Sequence, residues 1–308
     1  MAGLLGFGSL APKTKNVVVA GGLSAFVFGV YFYTMRAVGG TDELQVLQMA
    51  FLVIVVSLIV AWIASLCKIL LTASLYSKNT FLSEVSGGAP HRRNVLLVVA
   101  HPDDESMFFS PTINYLISRG HNVHLLCLSI GNADGMGSTR KDELYQACLV
   151  LKVQPQQVKI LDHPDLQDGF GLVWDRGLLS KTIKEEVVSR HIDTVLTFDN
   201  YGVSGHCNHR DVHYGVRKLL EDTPERRIEA WELVSNNLLR KYIGPVDIWL
   251  SMLLATKSGS RVAYCLLNEQ PLKTYGAMAA HSSQWVWFRK LFVSFSSYTY
   301  VNTLRRID

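Results

Sequence analysis

The stretch VLLVVAHPDDESMFF, residues 95–109, places a run of apolar and β-branched residues directly before His-Pro-Asp-Asp-Glu. The apolar run is typical of a strand that is buried on both faces of a sheet. Three adjacent carboxylates at its end would repel one another and lose hydration energy unless a cation compensates their charge. The alternative that needs no cation is a solvent-exposed helix start, where acidic residues are favoured.

The residues after this strand alternate between predicted strands and predicted helices. Strands are predicted at 94–100, 122–130, 157–161 and 192–198, and helices at 106–119, 138–151, 178–191 and 208–222. This order predicts an α/β fold with a Rossmann-like, doubly wound, mainly parallel sheet. In the common strand order 3-2-1-4-5, the first and fourth strands are neighbours, and ligands bind beyond their carboxyl ends.

A second polar cluster, DNYGVSGHCNHRD at 199–211, follows the fourth strand. We therefore expect it to meet the HPDDE turn at the same edge of the sheet. Taken alone, His206 and His209 would be ordinary surface histidines. Cys207 is a less favoured alternative ligand. His213 is expected to support a ligand from behind or to lie on the helix surface, rather than to bind the metal.

A hydrolytic zinc site needs three nitrogen or oxygen ligands and one open position for water. His101 and Asp104 supply two ligands from one tight turn, and Asp103 is left to act as a base. One of the two imidazoles His206 and His209 completes the metal shell, and the other reaches the oxygen that becomes negative. The conjunction of both clusters favours a metal-dependent hydrolase.

Bulk properties exclude some other classes of protein. The chain has 308 residues and a net charge of +4, which is too weak to indicate nucleic-acid binding. Its five cysteines form no C-x-x-C pair, which favours reduced thiols over a disulfide framework.

Two uncharged apolar stretches, residues 17–35 and 49–67, are each long enough to cross a hydrocarbon core of roughly 30 Å. We expect one or two transmembrane helices before the α/β domain, and the second stretch is the stronger candidate. Lysines and arginines flank the pair on its outer sides, so the positive-inside rule places the C-terminal part in the cytosol.

Four segments together resemble the PIG-L/LmbE family of zinc-dependent N-deacetylases. They are AHPDDE (100–105), STRKDEL (138–144), GVSGHCNH (202–209) and the tail MAAHSSQWVWFRKLFVSFSSYTYVN (278–302). The likeness covers residues of about 49–308 and implies an LmbE-like fold.

By position in these motifs, the resemblance makes His101, Asp104 and His209 the zinc ligands, although such a donor set also suits other divalent metals. It makes Asp103 the general base and His206 the group that stabilises the oxyanion. It further implies that substrate is contacted by Arg140, Asn132 and His281. The segment AHSSQ (280–284) departs from the family because a basic residue is expected after His281.

The resemblance also implies a substrate and a location. Eukaryotic members remove the acetyl group from N-acetylglucosaminyl-phosphatidylinositol, the second step of glycosylphosphatidylinositol (GPI) anchor synthesis. The implied partners are this glycolipid and the endoplasmic reticulum membrane, with the catalytic domain in the cytosol and no nucleic acid. The alternatives are a deacetylase of another N-acetylglucosamine conjugate and a non-catalytic mitochondrial membrane assembly protein.

The first 45 residues resemble a different family, the cytochrome c oxidase assembly factor 3 proteins. That segment alone would suggest the mitochondrial inner membrane. We expect three regions: this segment at 1–45, an anchor and linker at 46–92, and a deacetylase domain at 93–308. The junction near Gln45 is either a native fusion or two merged reading frames, and the second explanation is favoured.

Overall fold

A computed structural model describes residues 42–72, 81–82, 92–226, 228–257 and 263–307, with six helical residues between 26 and 34. The chain divides into two compact units, residues 1–60 and 61–308. The sheet lies wholly in the second unit. Residues 83–91 of the predicted anchor and linker region, 46–92, and most of the predicted first span, 17–35, lie outside the described residues.

The described sheet has seven strands in the order β3-β2-β1-β4-β5-β7-β6. The first five strands are parallel, whereas β7 is antiparallel to both β5 and β6. The predicted doubly wound, mainly parallel fold is thus confirmed, and an antiparallel pair extends it at one edge. The strands are β1 Asn94–Val99, β2 Asn122–Cys127, β3 Val158–Ile160, β4 Thr194–Phe198, β5 Glu229–Leu233, β6 Ala263–Leu267 and β7 Val301–Arg306.

The helix predicted at 106–119 is two helices, because Pro111 has no backbone N–H to donate and fits only in a first helical turn. The α-helices are α1 Asp42–Thr72, α2 Asp104–Met107, α3 Ser110–Ser118, α4 Gly137–Leu151, α5 Arg176–Ser189, α6 Gly202–Gly205, α7 Cys207–Asp222, α8 Leu238–Lys241, α9 Asp247–Lys257, α10 Pro271–Ala280 and α11 Trp287–Phe295.

The uniform apolarity of β1 follows from its burial on both faces. Val95, Leu97 and Val99 belong to a core cluster that includes residues of α3 and α4. Leu96 and Val98 point to the opposite face and join a cluster with residues of α5 and α7. Helices therefore cover both sides of the central strands, and only their ends open toward solvent.

Helix α1 contains the predicted second span. Its segment Gln45–Leu71, 27 residues, is long and apolar enough to cross a membrane. It contains the whole of the predicted stretch 49–67. No other helix in the described part of the chain meets both criteria.

Because the core lies on both faces of the sheet, replacing a buried leucine should lower the free energy of unfolding far more than replacing an exposed one. Leu126→Ala on β2 should lower the free energy of unfolding by about 2–5 kcal/mol, because it leaves a cavity in the packed core. Leu149→Ala on the exposed face of α4 should change it by less than about 0.5 kcal/mol. Urea titration of the solubilised chain measures both values, and equal effects would contradict this description of the core.

Candidate metal centre and active site

The HPDDE turn leaves β1 with its carboxylates inside the protein. Asp104 Oδ2 accepts hydrogen bonds from the backbone N–H groups of Ala100 at 3.1 Å and His101 at 2.9 Å. Asp103 adopts a backbone φ of 115°, which L-residues rarely occupy. Such strain persists only where the surrounding structure holds it, and functional sites are where it concentrates. The turn is thus bent to direct its side chains beyond the end of β1.

The second polar turn follows β4 and is built around Gly202, whose φ is 68°. A Cβ at Gly202 would lie 2.6 Å from the Cβ of His209, so only glycine permits this approach. The His209 imidazole stacks on the Phe198 ring with centroids 4.2 Å apart. His206 caps the N-terminus of α7, where its Nδ1 accepts from the Asn208 N–H.

The two turns meet because β1 and β4 are adjacent and parallel. His101, His206 and His209 each offer a ligand atom, and these atoms lie within 4.8 Å of one another. His209 Nε2 lies 3.2 Å from Asp104 Oδ1, and His101 Nδ1 lies 3.9 Å from Asp104 Oδ2. Three imidazoles and a carboxylate within this reach are a donor set that can hold a divalent metal ion.

Hydrogen bonds assign a tautomer to each imidazole. His209 Nδ1 lies 3.0 Å from the Gly202 carbonyl oxygen, which can only accept, so the lone pair is on Nε2. His101 Nε2 contacts Asp168 Oδ1 at 3.1 Å and Asn208 Oδ1 at 3.2 Å, which leaves the His101 lone pair on Nδ1. In both residues the free lone pair is on the nitrogen nearer to Asp104.

His206 is arranged in the opposite sense. Its Nδ1 lone pair accepts from the Asn208 N–H, so the proton is on Nε2. Burial and the neighbouring imidazoles of His101 and His209 lower the pKa of His206 to about 4, so the ring is neutral at physiological pH. This side chain therefore presents an N–H donor to the site.

The carboxylates respond to the same cluster. Burial alone would raise the pKa of Asp104, but His209 and His101, when protonated, lower it well below its usual value through their charge and hydrogen bonds. Burial would lower the pKa of His101, but the hydrogen bond that its ring donates to Asp168 and the charge of Asp104 raise it. The ionised carboxylate of Asp104 is thus stabilised by the imidazoles beside it.

Arg140, predicted to contact substrate, is a buried part of the site wall. Its Nη1 donates to the Gly131 carbonyl at 2.8 Å and to Asp168 Oδ2 at 3.3 Å. Its Nη2 donates to the Pro102 carbonyl at 2.8 Å and to Asp103 Oδ2 at 3.2 Å. Four contacts fix the guanidinium between the two carboxylates.

Arg289 of α11 also contacts Asp103 Oδ2. This contact was not predicted, because Arg289 stands beside Lys290 in an aromatic segment that is typical of a membrane interface. Asp168 and Asn208, which contact His101, were also missed. Asn208 lies inside the quoted H-C-N-H motif, whereas Asp168 lies on a loop that carries no motif signal.

The other two predicted substrate residues make structural contacts within the protein. His281 is fully buried, and its Nε2 lies 2.7 Å from Glu105 Oε1, on the residue that ends the HPDDE turn. A substrate cannot reach this ring without a rearrangement. Asn132 is exposed, but its Oδ1 accepts from the Gly137 N–H at 2.9 Å and thereby fixes the start of α4.

The two alternative residues of the second cluster take other contacts. Cys207 Sγ donates to the Gly169 carbonyl at 3.6 Å and is not part of the imidazole group. His213, expected either to support a ligand or to lie on the helix surface, is buried, with its Nδ1 3.1 Å from the Phe198 carbonyl and 3.3 Å from Glu232 Oε2.

Comparison with known proteins decides the family. Residues 96–220 match the PIG-L family, described as GlcNAc-PI de-N-acetylase. A probable N-acetylglucosaminyl-phosphatidylinositol de-N-acetylase of Dictyostelium discoideum is 34% identical over 242 residues, covering 70% of this chain and 94% of that protein. The chain belongs to this family. The Bos taurus enzyme of that name is 40% identical over 210 residues, covering 68% of this chain and 81% of its own length.

The resemblance predicted from the motifs is therefore confirmed, and the chain is a deacetylase. Among solved structures, the N,N'-diacetylchitobiose deacetylase from Pyrococcus horikoshii has a TM-score of 0.48 at 17% identity, covering 70% of this chain and 84% of that one.

The geometry predicts that metal binding depends on His209. His209→Ala should lose the bound ion, about one per chain, because it removes a lone pair that is held toward Asp104. His163→Ala, which alters a histidine near an exposed aspartate outside the cluster, should keep it. Elemental analysis of the purified, dialysed chain makes the comparison. Equal metal content in the two variants would contradict the assignment.

Proposed function

We propose that this chain hydrolyses the acetamide of N-acetylglucosaminyl-phosphatidylinositol, giving glucosaminyl-phosphatidylinositol and acetate in GPI anchor synthesis. The observation that supports this most is the meeting of the HPDDE turn and the 199–211 turn at the carboxyl ends of β1 and β4. Several curated relatives bear the name of this activity.

The residues suited to hold a zinc ion are His101, Asp104 and His209. The free lone pairs of His101 Nδ1 and His209 Nε2 and the ionised carboxylate of Asp104 form a nitrogen and oxygen donor set that zinc accepts readily. When bound, zinc would polarise the acetamide carbonyl and make a water molecule more acidic. Asp168 orients the His101 ring by accepting a hydrogen bond from its Nε2–H.

Asp103 is placed to act as the base. Arg140 and Arg289 both contact its Oδ2, which fixes the carboxylate and leaves Oδ1 to take a proton from the attacking water. Delivery of that proton to the amine nitrogen, as the C–N bond breaks, lets glucosaminyl-phosphatidylinositol leave as a neutral amine and frees acetic acid. Loss of the acid proton to the amine or to solvent then gives acetate. One carboxylate thus serves both halves of the reaction.

His206 is suited to stabilise the oxyanion. Because its Nδ1 accepts from Asn208, its Nε2–H is the donor that can face the acetamide oxygen as negative charge develops. The depressed pKa keeps this ring a neutral donor rather than a cation.

The anchor and the substrate share a membrane in this proposal. Helix α1 would hold the catalytic domain, residues 93–308, at the bilayer that contains the acyl chains of the glycolipid. Confinement of the enzyme and the glycolipid to one membrane raises the effective concentration of substrate at the active site. Lys68 lies in the last turn of the span and Arg92 and Arg93 follow it, so the positive-inside rule favours a cytosolic catalytic domain at the endoplasmic reticulum. Residues 1–45 would be a separate segment.

The direct test is acetate release by the full chain in lipid vesicles that contain N-acetylglucosaminyl-phosphatidylinositol. We expect turnover that a chelator abolishes and added zinc restores. A soluble N-acetylglucosamine conjugate is the comparison substrate. Faster cleavage of that conjugate would favour a deacetylase of a different N-acetylglucosamine compound.

The role of Asp103 has its own prediction. Asp103→Asn should reduce turnover by about 10²–10⁴-fold, because it removes the base without removing a ligand. Its metal content should equal that of the unsubstituted chain, as measured on the same preparation. Full activity in this variant, with zinc bound, would rule out the mechanism.

A further inference from the structure

Helix α11 has one face toward the site and the opposite face toward the outside. Trp287, Phe288, Leu291 and Phe295 are exposed, and Trp287 keeps 73% of its surface accessible. Their spacing places them on one stripe of the helix. A water-soluble surface rarely carries so many large apolar side chains together, so this stripe needs an occupant.

Helix α9 continues the same kind of surface. Its exposed residues include Trp249, Leu250 and Leu254, whereas Asp247, Ile248 and Ser251 face inward and are buried. On α8, Leu238 and Leu239 are also largely exposed. We call the exposed residues of α8, α9 and α11 named here the apolar face.

The apolar face is continuous with the end of α1. Trp62 contacts Phe295 of α11 with ring centroids 5.6 Å apart, and Trp249 Nε1 of α9 donates to Ser65 Oγ at 3.0 Å. Ile69 is buried in a cluster with Ile248. Residues 62–69 form the C-terminal part of the apolar segment Gln45–Leu71, so the end of the helix that could cross the membrane packs against α9 and α11.

Charged groups beside the apolar face make their contacts inward. Arg240 donates to both oxygens of the fully buried Asp247, at 2.8 and 3.0 Å. Lys241 Nζ donates to the Val203 carbonyl in the turn that precedes His206, and Arg289 contacts Asp103. Pairing of this kind is what a surface in contact with hydrocarbon requires, because an uncompensated charge there is costly.

We propose that the apolar face lies in the interfacial layer of the bilayer and sets the catalytic turns at the membrane surface. Tryptophan and phenylalanine beside arginine and lysine are typical of elements that lie in this layer. The proposal rests on the proposed function, because a lipid-linked headgroup is the substrate that benefits from this placement. Its acyl chains would stay in the bilayer while its sugar enters the site.

Two contacts couple this surface to the chemistry. Phe292, on the inner side of α11, packs on Phe108 at 5.7 Å between ring centroids, and Phe108 in turn lies 5.9 Å from the His209 ring. Lys241 of α8 holds the turn that carries His206. Membrane contact through α11 and α8 can therefore affect the positions of His209 and of the turn that carries His206.

A photoactivatable phosphatidylcholine in vesicles with the full chain tests the surface directly. After illumination, mass spectrometry should find lipid adducts in 247–257 and 285–295 as well as in α1. Helix α5, which exposes Val188 on its surface, serves as the reference and should carry none. Adducts confined to α1, or cross-links from the apolar face to a protein instead, would overturn the proposal.

A double variant tests the consequence for turnover. Leu254→Glu with Leu291→Glu should lower turnover of the long-chain glycolipid in vesicles by at least about tenfold, because two charges then resist entry into the interface. Turnover of the same headgroup without acyl chains should change less than about twofold, and Val188→Glu should affect neither substrate. A double variant whose turnover of the two substrates changes by the same factor would contradict the proposal.

The two proposals fail in different ways. An unsubstituted chain that cleaves neither substrate would defeat the proposed function, whereas the adduct map would still decide where the apolar face lies. Adducts absent from α9 and α11 in a chain that cleaves the glycolipid would defeat only the placement.

Discussion

Buried negative charge at the end of β1 is the constraint on which the rest of this site depends. Asp103, Asp104 and Glu105 are almost entirely removed from water. Leaving any one of them unpaired would cost several kcal/mol. Each is met by a group from a distant part of the chain: Asp104 by His209, Asp103 by Arg140 and Arg289, and Glu105 by His281.

Satisfying these three carboxylates brings much of the domain together. The partners come from α4, α7 and α11 and from the residue after α10, so four elements converge on one turn of six residues, AHPDDE. The sheet makes this possible, because β1 lies at the centre of its five parallel strands and β4 runs beside it. The same arrangement leaves the lone pairs of His101 and His209 directed toward Asp104, where a metal ion can add its own charge.

The sequence was most informative where signals are local. The apolar run of β1 and the alternation of strands and helices predicted four of the five parallel strands and, through the common order 3-2-1-4-5, the pairing of β1 with β4, because burial and connectivity rules act over short stretches. The meeting of the HPDDE and H-C-N-H motifs followed from that order. Strand β5 was not predicted. The antiparallel pair β6 and β7 was not predicted, since it depends on how the last third of the chain returns to the sheet.

Long-range pairing explains what sequence reasoning missed. Asp168 and Arg289 have no motif around them, and only the folded chain brings them to His101 and Asp103. His281 was expected to contact substrate, but its ring lies in the interior, where it pairs with the buried carboxylate of Glu105. Arg289, from the same tail, brings to the site the positive charge that was expected next to His281. The arginine that supplies this charge lies eight residues after His281 in the chain.

The central claim is that two distant turns share one ion through nitrogen and oxygen atoms alone. X-ray absorption at the zinc edge of the purified full chain tests it most directly. The account predicts only nitrogen and oxygen neighbours at about 2.0–2.2 Å, with the outer scattering of two imidazoles. A sulfur neighbour at about 2.3 Å, which would implicate Cys207, or the scattering of fewer than two imidazoles, would contradict it.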